Sequence, residues 1–524
     1  MIGQEPFNKT ENLIFYTGGG LLLFAFFYNL GIYPLYLEEP RRGLIALEML
    51  INDNLWVPTQ TGDLYYRKPP VYNWVLLLSY NLFGEANEFA TRFFSVLSHL
   101  VSSLMVFQLT KKYVNREVAL FASAGFVLLV DILLSYSTIG EIDLFYSLVT
   151  SSSIFLIYVF GERKQYWYLF LTVYLLTAIG FLTKGLTSLP YTAISLLVYF
   201  IWKKDFRRLL GIQHVFGILL LALSLFGYFY TYSQYEDVSG WWSTLISESS
   251  DKATSGGISA VIHQLLTFPI DTLKNLIPVS FFIPLLFLKG SKSILKENKF
   301  IWFCVLIFVF NFPLYWISTE AKSRYIYPIF PFAAISLTYL SVNLRSNFWS
   351  IFLKYFVLVC ATILVVASIG IHFVEELEVI PRLDLLSTVL GVGAILIYGL
   401  WFKKEVRPYV LFLLFFVFLK FGMSSVFPPS RQLTTGAAKD KAMALQMAEI
   451  THGEELLRYK DLRMSYTIVF YLERERNDIV YSTDKIIDGY IICYDDDLKD
   501  FTNYEVIKEF YYDNRIPMSL IKVE

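Results

Sequence analysis

Residues 13–42 read LIFYTGGGLLLFAFFYNLGIYPLYLEEPRR. The run from Leu13 to Leu37 is apolar and long enough to cross a bilayer, which takes roughly 20 helical residues. It lacks a small-residue cleavage site, so it is expected to stay in place as a first membrane helix and not to leave as a signal peptide. At its exit it delivers Glu38, Glu39, Arg41 and Arg42 to one membrane surface.

The rest of the chain repeats the first half of that pattern. Of 524 residues, 55% are hydrophobic, 18% aromatic and only 17% charged, and the mean hydropathy is +0.50. Such a chain is solvated largely by lipid. A net charge of −1 argues against nucleic-acid binding, which needs a concentrated excess of Lys and Arg. Cys304, Cys360 and Cys493 are far apart and form no ligand pair, so no metal site is read from them.

Thirteen apolar runs are expected to span, near 13–33, 89–110, 117–137, 144–161, 166–183, 186–202, 211–230, 275–288, 300–317, 325–342, 350–373, 383–402 and 408–427. The shorter run 69–83 is read as a helix lying at the interface. Basic clusters set the orientation, because Lys and Arg are retained on the cytoplasmic side. Lys111, Lys112 and Arg116, Arg163 and Lys164, Lys203 to Arg208, Lys289 to Lys299, Arg345 and Lys354, and Lys403 to Arg407 all fall on one face by this count. The loops 34–88 and 231–274, the turn around Glu141 and the tail after Phe427 fall on the other. Residues 1–427 are thus read as a transmembrane domain and 428–524 as an extracytoplasmic α/β domain. In the latter a helix is expected over Ala437–Ile450, and strands over Tyr466–Leu472, Ile479–Tyr481, Tyr490–Tyr494 and Tyr504–Tyr512. The fold class is an all-α polytopic membrane protein with a small soluble α/β domain at its C-terminus.

The chemistry concentrates in the outer loops. Two acids at a helix exit can hold a proton-accepting carboxylate against a hydroxyl, although acids at helix ends are often only solvated. Lys68, between aromatic residues and the turn Pro69-Pro70, can fix a positive charge at headgroup level, where an interfacial lysine can equally snorkel. Asp143 opens the fourth helix, where a carboxylate either faces the cavity or caps backbone N–H groups. Lys184 sits in Thr183-Lys184-Gly185, a turn that a glycine makes tight. Lys322, Arg324 and Tyr325 lie before the tenth helix, where a guanidinium can clamp phosphate or anchor the chain at the interface.

The order of these residues resembles the ArnT-like and protein O-mannosyltransferase families, multispanning transferases of the GT-C fold that use lipid-linked sugars. Glu38 and Glu39 match their acidic pair, Arg41 the following arginine, Glu48-Met49 their Glu-Met, Lys68-Pro69-Pro70 their basic turn, Phe83-Gly84 its end and Phe89-Ala90-Thr91-Arg92 the next helix. Thr183-Lys184-Gly185 and Lys322 to Pro328 are similar to further family segments. The resemblance implies an inverting transfer from a polyprenyl-phosphate sugar to a lipid, glycan or protein acceptor, at the outer face of a bacterial inner membrane. It implies catalytic roles for Glu38 and Asp143, and substrate-binding roles for Glu39, Arg41, Tyr65, Lys68, Lys184, Lys322, Arg324 and Tyr325. Two residues depart from the pattern. Glu38 replaces the usual Asp. Arg67 stands where some relatives carry an acid implicated in metal binding, so no cofactor is required by the scheme and a divalent metal is left open. His263 is read as structural. Aminoarabinose, mannose and hexose donors all fit the pattern. The rival readings are a flippase of lipid-linked sugars, which moves the lipid without consuming its sugar, and a silent scaffold built around the C-terminal domain.

Overall fold

The computed structural model describes residues 7–254, 257–344, 347–378, 380–512 and 516–524; Arg345, one of the basic residues used above for orientation, lies outside them. Ten helical stretches are long and apolar enough to cross a membrane, and twelve if each of two bent pairs is one span. One of the ten, Tyr166–Trp202, turns back on itself. At Gly185 the backbone takes φ +74°, beyond which Thr192 hydrogen-bonds Thr177 at 2.7 Å and Phe200 stacks on Phe170 at 5.7 Å. A straight helix would hold residues 15 apart more than 20 Å from one another. The stretch therefore crosses twice, and the runs 166–183 and 186–202 are separate spans. The bent pairs are Arg116–Val127 with Val130–Thr138, at 49°, and Ser259–Asn275 with Val279–Phe287, at 119°. The second turns back too sharply to be one straight span, because Pro278 and Pro284 interrupt its backbone donors.

Asparagine caps start several helices: Asn8 in a capping box with Glu11, Asn87 onto Ala90, Asn115 onto Val118 and Asn298 onto Phe300 and Ile301. The basic clusters gather at one end of the bundle. There Arg407 reaches Glu11 at 2.9 Å and also pairs with Glu117, the Asn298 amide donates to the Tyr113 carbonyl at 2.9 Å, and Lys203 pairs with Glu162 at 2.5 Å. The acidic and basic loop residues gather at the other end, with the C-terminal domain above them.

The first loop is itself structured: a helix Glu39–Ile51, a two-stranded hairpin Thr59–Gln60 with Asp63–Leu64, and a helix Val71–Phe83 that is too short to span and ends at Gly84 with φ +81°. The last membrane helix runs through Pro428 and Pro429 to Thr434, past the expected limit at Phe427. The C-terminal sheet has five strands in the order Ser482–Thr483, Leu456–Tyr459, Gly489–Tyr494, Ile516–Val523, Tyr504–Tyr512. The first three pair in parallel and the last two join antiparallel.

Two expected strands differ: Ile479–Tyr481 is not a strand, the short strand there being Ser482–Thr483, and the other is a helix. Tyr466–Leu472 is rich in aromatic and β-branched residues, yet Tyr466–Arg476 is helical, closed by Asn477 at φ +52°. Thr467 to Glu473 are all buried, so the run packs on several sides and burial overrides the strand preference. This helix lies on the loop helix Glu39–Ile51: Phe470 is fully buried beside Gly43, and the Tyr471 hydroxyl accepts from Leu35 N–H at 2.8 Å and donates to Glu88 at 2.8 Å. Burying two such rings contributes roughly 1.5–3 kcal/mol each. That contact ties the soluble domain to the loop that carries the site.

Candidate active site

Leu37 takes φ +60°, a conformation rare for a non-glycine side chain, and so turns the chain sharply just before the loop helix, ten residues beyond the end of the first membrane helix at Phe27. Glu38 then sits at the N-cap position of the loop helix without a side-chain capping bond, and Pro40 helps the helix to start. One helical turn brings Arg41 back onto Glu38 as an ion pair. The Glu38 side chain stays 46% exposed.

Glu39 points the other way and is fully buried. Its two oxygens accept from Arg92 Nη2 and Nε, both at 2.8 Å, and also from the N–H groups of Tyr36 at 3.1 Å and Gly140 at 2.9 Å. Arg92 turns its remaining donors to the carbonyls of Leu30, Tyr33 and Pro34 at 2.8–3.0 Å. The family resemblance implies substrate binding for Glu39, but its acceptor positions are filled by protein donors, so it acts as a brace. Gly140 is part of the same brace, since a Cβ there would stand 2.7 Å from the Thr91 carbonyl oxygen.

Asp143, in the first turn of Ile142–Glu162, does not cap its helix. Its carboxylate pairs with Lys184 on one oxygen and lies 3.7 Å from Arg324 Nε on the other, with a side chain only 2% exposed. Lys184 lies over the rings of Tyr325 at 4.5 Å and Tyr146 at 5.1 Å, and Arg324 donates to the Tyr136 hydroxyl at 3.2 Å. Asp143 therefore sets the positions of two cations and is not free to take a proton.

These groups face a cavity of about 420 Å³. Glu38, Arg41, Tyr65, Lys68, Asp143, Lys184, Arg324 and Tyr325 all line it; Glu39 does not, and Lys322 is exposed outside it. Five further lining residues were not assigned to a site from the sequence: Arg42, which donates to the Tyr65 hydroxyl at 3.2 Å, Glu141, 3.9 Å from Arg42, and Arg67, Ile142 and Glu320. Arg42 follows Arg41 directly on the loop helix, and that adjacency was the only sequence signal for it. Burial pushes the Glu141 carboxyl up, with the Arg42 guanidinium pulling against it. The lining carries six cations, Arg41, Arg42, Arg67, Lys68, Lys184 and Arg324, against four carboxylates, Glu38, Glu141, Asp143 and Glu320. A formal surplus of two positive charges suits a phosphate.

The donor set does not suit a divalent metal. Arg67 occupies the position of the acid some relatives use, a guanidinium offers no lone pair, and among the described residues no three His, Cys, Asp or Glu side chains come together.

Residues 67–230 match the family model described as dolichyl-phosphate-mannose-protein mannosyltransferase. The chain is 30% identical over 217 residues to an undecaprenyl phosphate-alpha-4-amino-4-deoxy-L-arabinose arabinosyl transferase of Proteus mirabilis, covering 39% of each chain. It is 31% identical over 211 residues to the corresponding transferase of Erwinia tasmaniensis, covering 38% of this chain and 37% of the relative. These alignments thus span about two fifths of the length of those relatives. In structure the chain resembles ArnT from Cupriavidus metallidurans over nearly its whole length. The apo form superposes with a TM-score of 0.72 at 16% identity, covering 97% of both chains; the form bound to undecaprenyl phosphate gives 0.73 at 17%, covering 96% and 97%. Loop motifs, cavity and bundle agree: the chain has the fold of the ArnT structures and is similar over residues 67–230 to the protein mannosyltransferase family.

Proposed function

We propose that the chain is an inverting glycosyltransferase that moves a sugar from a polyprenyl phosphate to a hydroxyl acceptor at the extracytoplasmic face of a bacterial inner membrane. The observation that carries this reading is that one carboxylate with no buried anchor, Glu38, shares a cavity with Lys68, Lys184 and Arg324. The positive-inside rule supports the orientation, because the basic clusters sit at the opposite end of the bundle. Similarity to transferases named for undecaprenyl phosphate and 4-amino-4-deoxy-L-arabinose supports the donor class and makes that aminosugar the first donor to assay. The acceptor is a lipid, glycan or protein hydroxyl.

In the reaction, the acceptor oxygen forms a bond to the anomeric carbon while its proton passes to Glu38. The bond from that carbon to the phosphate oxygen breaks, and its electron pair leaves with the lipid phosphate. Lys184, Arg324 and Lys68 meet the charge that develops there, the first two held in advance by Asp143 and the surrounding rings. Fixed charges aimed at a leaving group do not have to reorganise during the step, which is where such sites gain most of their rate. The cavity residues themselves supply this scheme, without a cofactor.

The test is donor consumption in vesicles that hold purified protein, the lipid-linked aminosugar and a membrane acceptor extract. Glu38→Gln is expected to lower transfer by about 10²–10⁴, the range for losing a general base, with donor binding retained. Full transfer by a normally expressed Glu38→Gln protein would remove that role. Movement of labelled lipid with its sugar intact would instead identify a flippase.

A further inference from the structure

Two hollows at the basic end of the bundle run into one another. The outer, of about 580 Å³, opens where the first membrane helix, Lys9–Phe27, meets the end of Glu88–Tyr113 and the start of Arg116–Val127, and it is lined by Asn12, Tyr16, Phe107, Lys111 and Arg116. The inner, of about 200 Å³, lies between the same three helices and Pro408–Thr434, with Gly18, Gly19, Ala124, Leu414 and Val417 among its walls. Phe15 and Leu120 line both, so the two form one groove. Along the first helix the groove runs from Asn12 to Leu22, which at 1.5 Å per residue is roughly 15 Å, half the thickness of a hydrocarbon core. It is therefore one leaflet deep.

The mouth is cationic. Lys111 and Arg116 are exposed and, among the described residues, neither forms an ion pair. Lys111 lies over the Phe107 ring at 5.7 Å, and Arg116 donates to the Asn12 side-chain carbonyl and the Tyr16 hydroxyl, both at 3.2 Å, so every one of these partners is neutral. Among the described residues no carboxylate lines the mouth, and the acids that adjoin it in sequence, Glu11 and Glu117, are both engaged by Arg407. The inner part is apolar. Its two polar side chains, Ser103 and Ser123, spend their hydroxyls on the carbonyls of Ser123 at 3.0 Å and Leu120 at 3.1 Å, so nothing there calls for a polar ligand. Space is left at Gly19, where a Cβ would meet no atom within 4 Å.

We propose that this groove holds one anionic glycerophospholipid, with its phosphate between Lys111 and Arg116 and an acyl chain lying along Gly18 and Gly19 as far as Leu22. The positive-inside rule places this end of the bundle in the cytoplasm, so the lipid belongs to the cytoplasmic leaflet. Two cations without counter-charges recognise the phosphate, as in other basic pockets between membrane helices on that side, and the chain covers the flank of the first helix that its glycines leave bare. The inference is independent of the transferase reading, because the groove lies at the opposite end of the bundle from Glu38; it needs only that these helices span a bilayer.

The experiment is native mass spectrometry of the full chain, released from detergent micelles that contain phosphatidylglycerol and phosphatidylcholine with identical chains. Wild-type protein is expected to retain one phosphatidylglycerol in preference to phosphatidylcholine by about thirtyfold, the ratio two basic groups give together at a membrane surface. Lys111→Gln with Arg116→Gln should bring the two lipids close to parity. Lys111→Gln alone, a change at an exposed position, guards against misfolding of the double variant and should lower the preference about fivefold. Gly19→Leu keeps both cations but fills the groove, and should reduce retention of phosphatidylglycerol at least tenfold. Glycerol 3-phosphate, which carries the charge without the chains, should not displace the lipid; displacement would identify a site for soluble phosphate and overturn the lipid assignment. Equal retention of the two lipids by the wild type, a preference unchanged in the double variant, or full retention by Gly19→Leu would each overturn it as well.

Discussion

If Lys184 stabilises the leaving phosphate, removing it must cost activity even when the electrostatic damage to the fold is repaired. Lys184→Met deletes one of the two cations that hold Asp143, whose side chain is 2% exposed, and leaves Arg324 at 3.7 Å as the remaining partner. A pair of unit charges at that separation is worth about 4 kcal/mol at an effective dielectric constant of about 20. Breaking a buried pair by removing one member costs about 3–5 kcal/mol. Lys184→Met should therefore lower the unfolding temperature clearly and abolish most transfer, a result that alone says little about chemistry. The double variant Asp143→Asn with Lys184→Met separates the two effects. It removes the carboxylate together with its buried lysine, and Arg324 keeps its hydrogen bond to the Tyr136 hydroxyl and faces the cavity, so most of the lost thermal stability should return. Transfer at saturating donor should stay about 100-fold down or worse, the range seen when one preorganised donor is removed, equivalent to about 2.7 kcal/mol of transition-state stabilisation. Unfolding followed by tryptophan fluorescence and donor consumption in proteoliposomes read the two quantities independently. Recovery of transfer to within threefold of wild type in the double variant would show that Lys184 serves only to neutralise Asp143.

Glu39→Gln removes the buried charge facing Arg92, so the loss should appear first in stability, by about 3–5 kcal/mol, with residual transfer tracking the folded fraction. Glu48 is buried beneath the C-terminal domain, accepting from the Thr61 and Gly62 N–H groups, and burial pushes its carboxyl up to about 6. Because the folded value is above the ordinary one of about 4.5, its stabilising contribution is present below that pH and is lost as pH rises through 6. The step is about 2 kcal/mol. Glu48→Gln should flatten the stability profile between about pH 4.5 and 6; an unchanged profile would show that another group titrates there. Leu37→Gly should relieve the left-handed turn while loosening Glu38, so that stability holds while the turnover number falls. Turnover equal to wild type would show that the strained turn does not hold the base in place.

The fold was legible wherever lipid enforces a simple rule. A spanning helix must be long and apolar, and the basic residues that flank it collect on one side, so most of the spans follow from residues such as Lys203 and Arg407 without knowledge of packing; the expected span 275–288 does not, since Val279–Phe287 is a short helix bent by 119° from the one before it. Gly185 was legible as a reversal for a similar reason, because a glycine between two apolar runs frees the backbone to turn. Tyr466–Leu472 was not, because strand preference and helix formation compete there, and the choice depends on what covers the segment. The loop helix and hairpin that cover it lie some 400 residues earlier in the chain.

The site divides along the same line. Residue types in order pointed to eight of the thirteen residues that line the cavity at Glu38, but the partners decide what each can do, and those partners come from distant segments. Glu38 and Glu39 are adjacent and chemically identical; one faces the cavity and the other is enclosed by Arg92, 53 residues away, and by the Gly140 N–H, 101 residues away. Asp143 reads as a second acid until Lys184 and Arg324 close on it. A base must keep an open acceptor lone pair toward its substrate, and of these three carboxylates only Glu38 does so. Among the described residues its ion-pair partner is Arg41, from the same turn of helix, so a substrate hydroxyl competes with one contact at the cavity wall and not with a buried network. Replacing the usual Asp by Glu at this position lengthens the side chain by one methylene, and the strained Leu37 turn sets where that longer arm begins. The pair therefore divides into one buried brace, Glu39, and one cavity-facing acid, Glu38, and Arg92 is the residue that sets the difference.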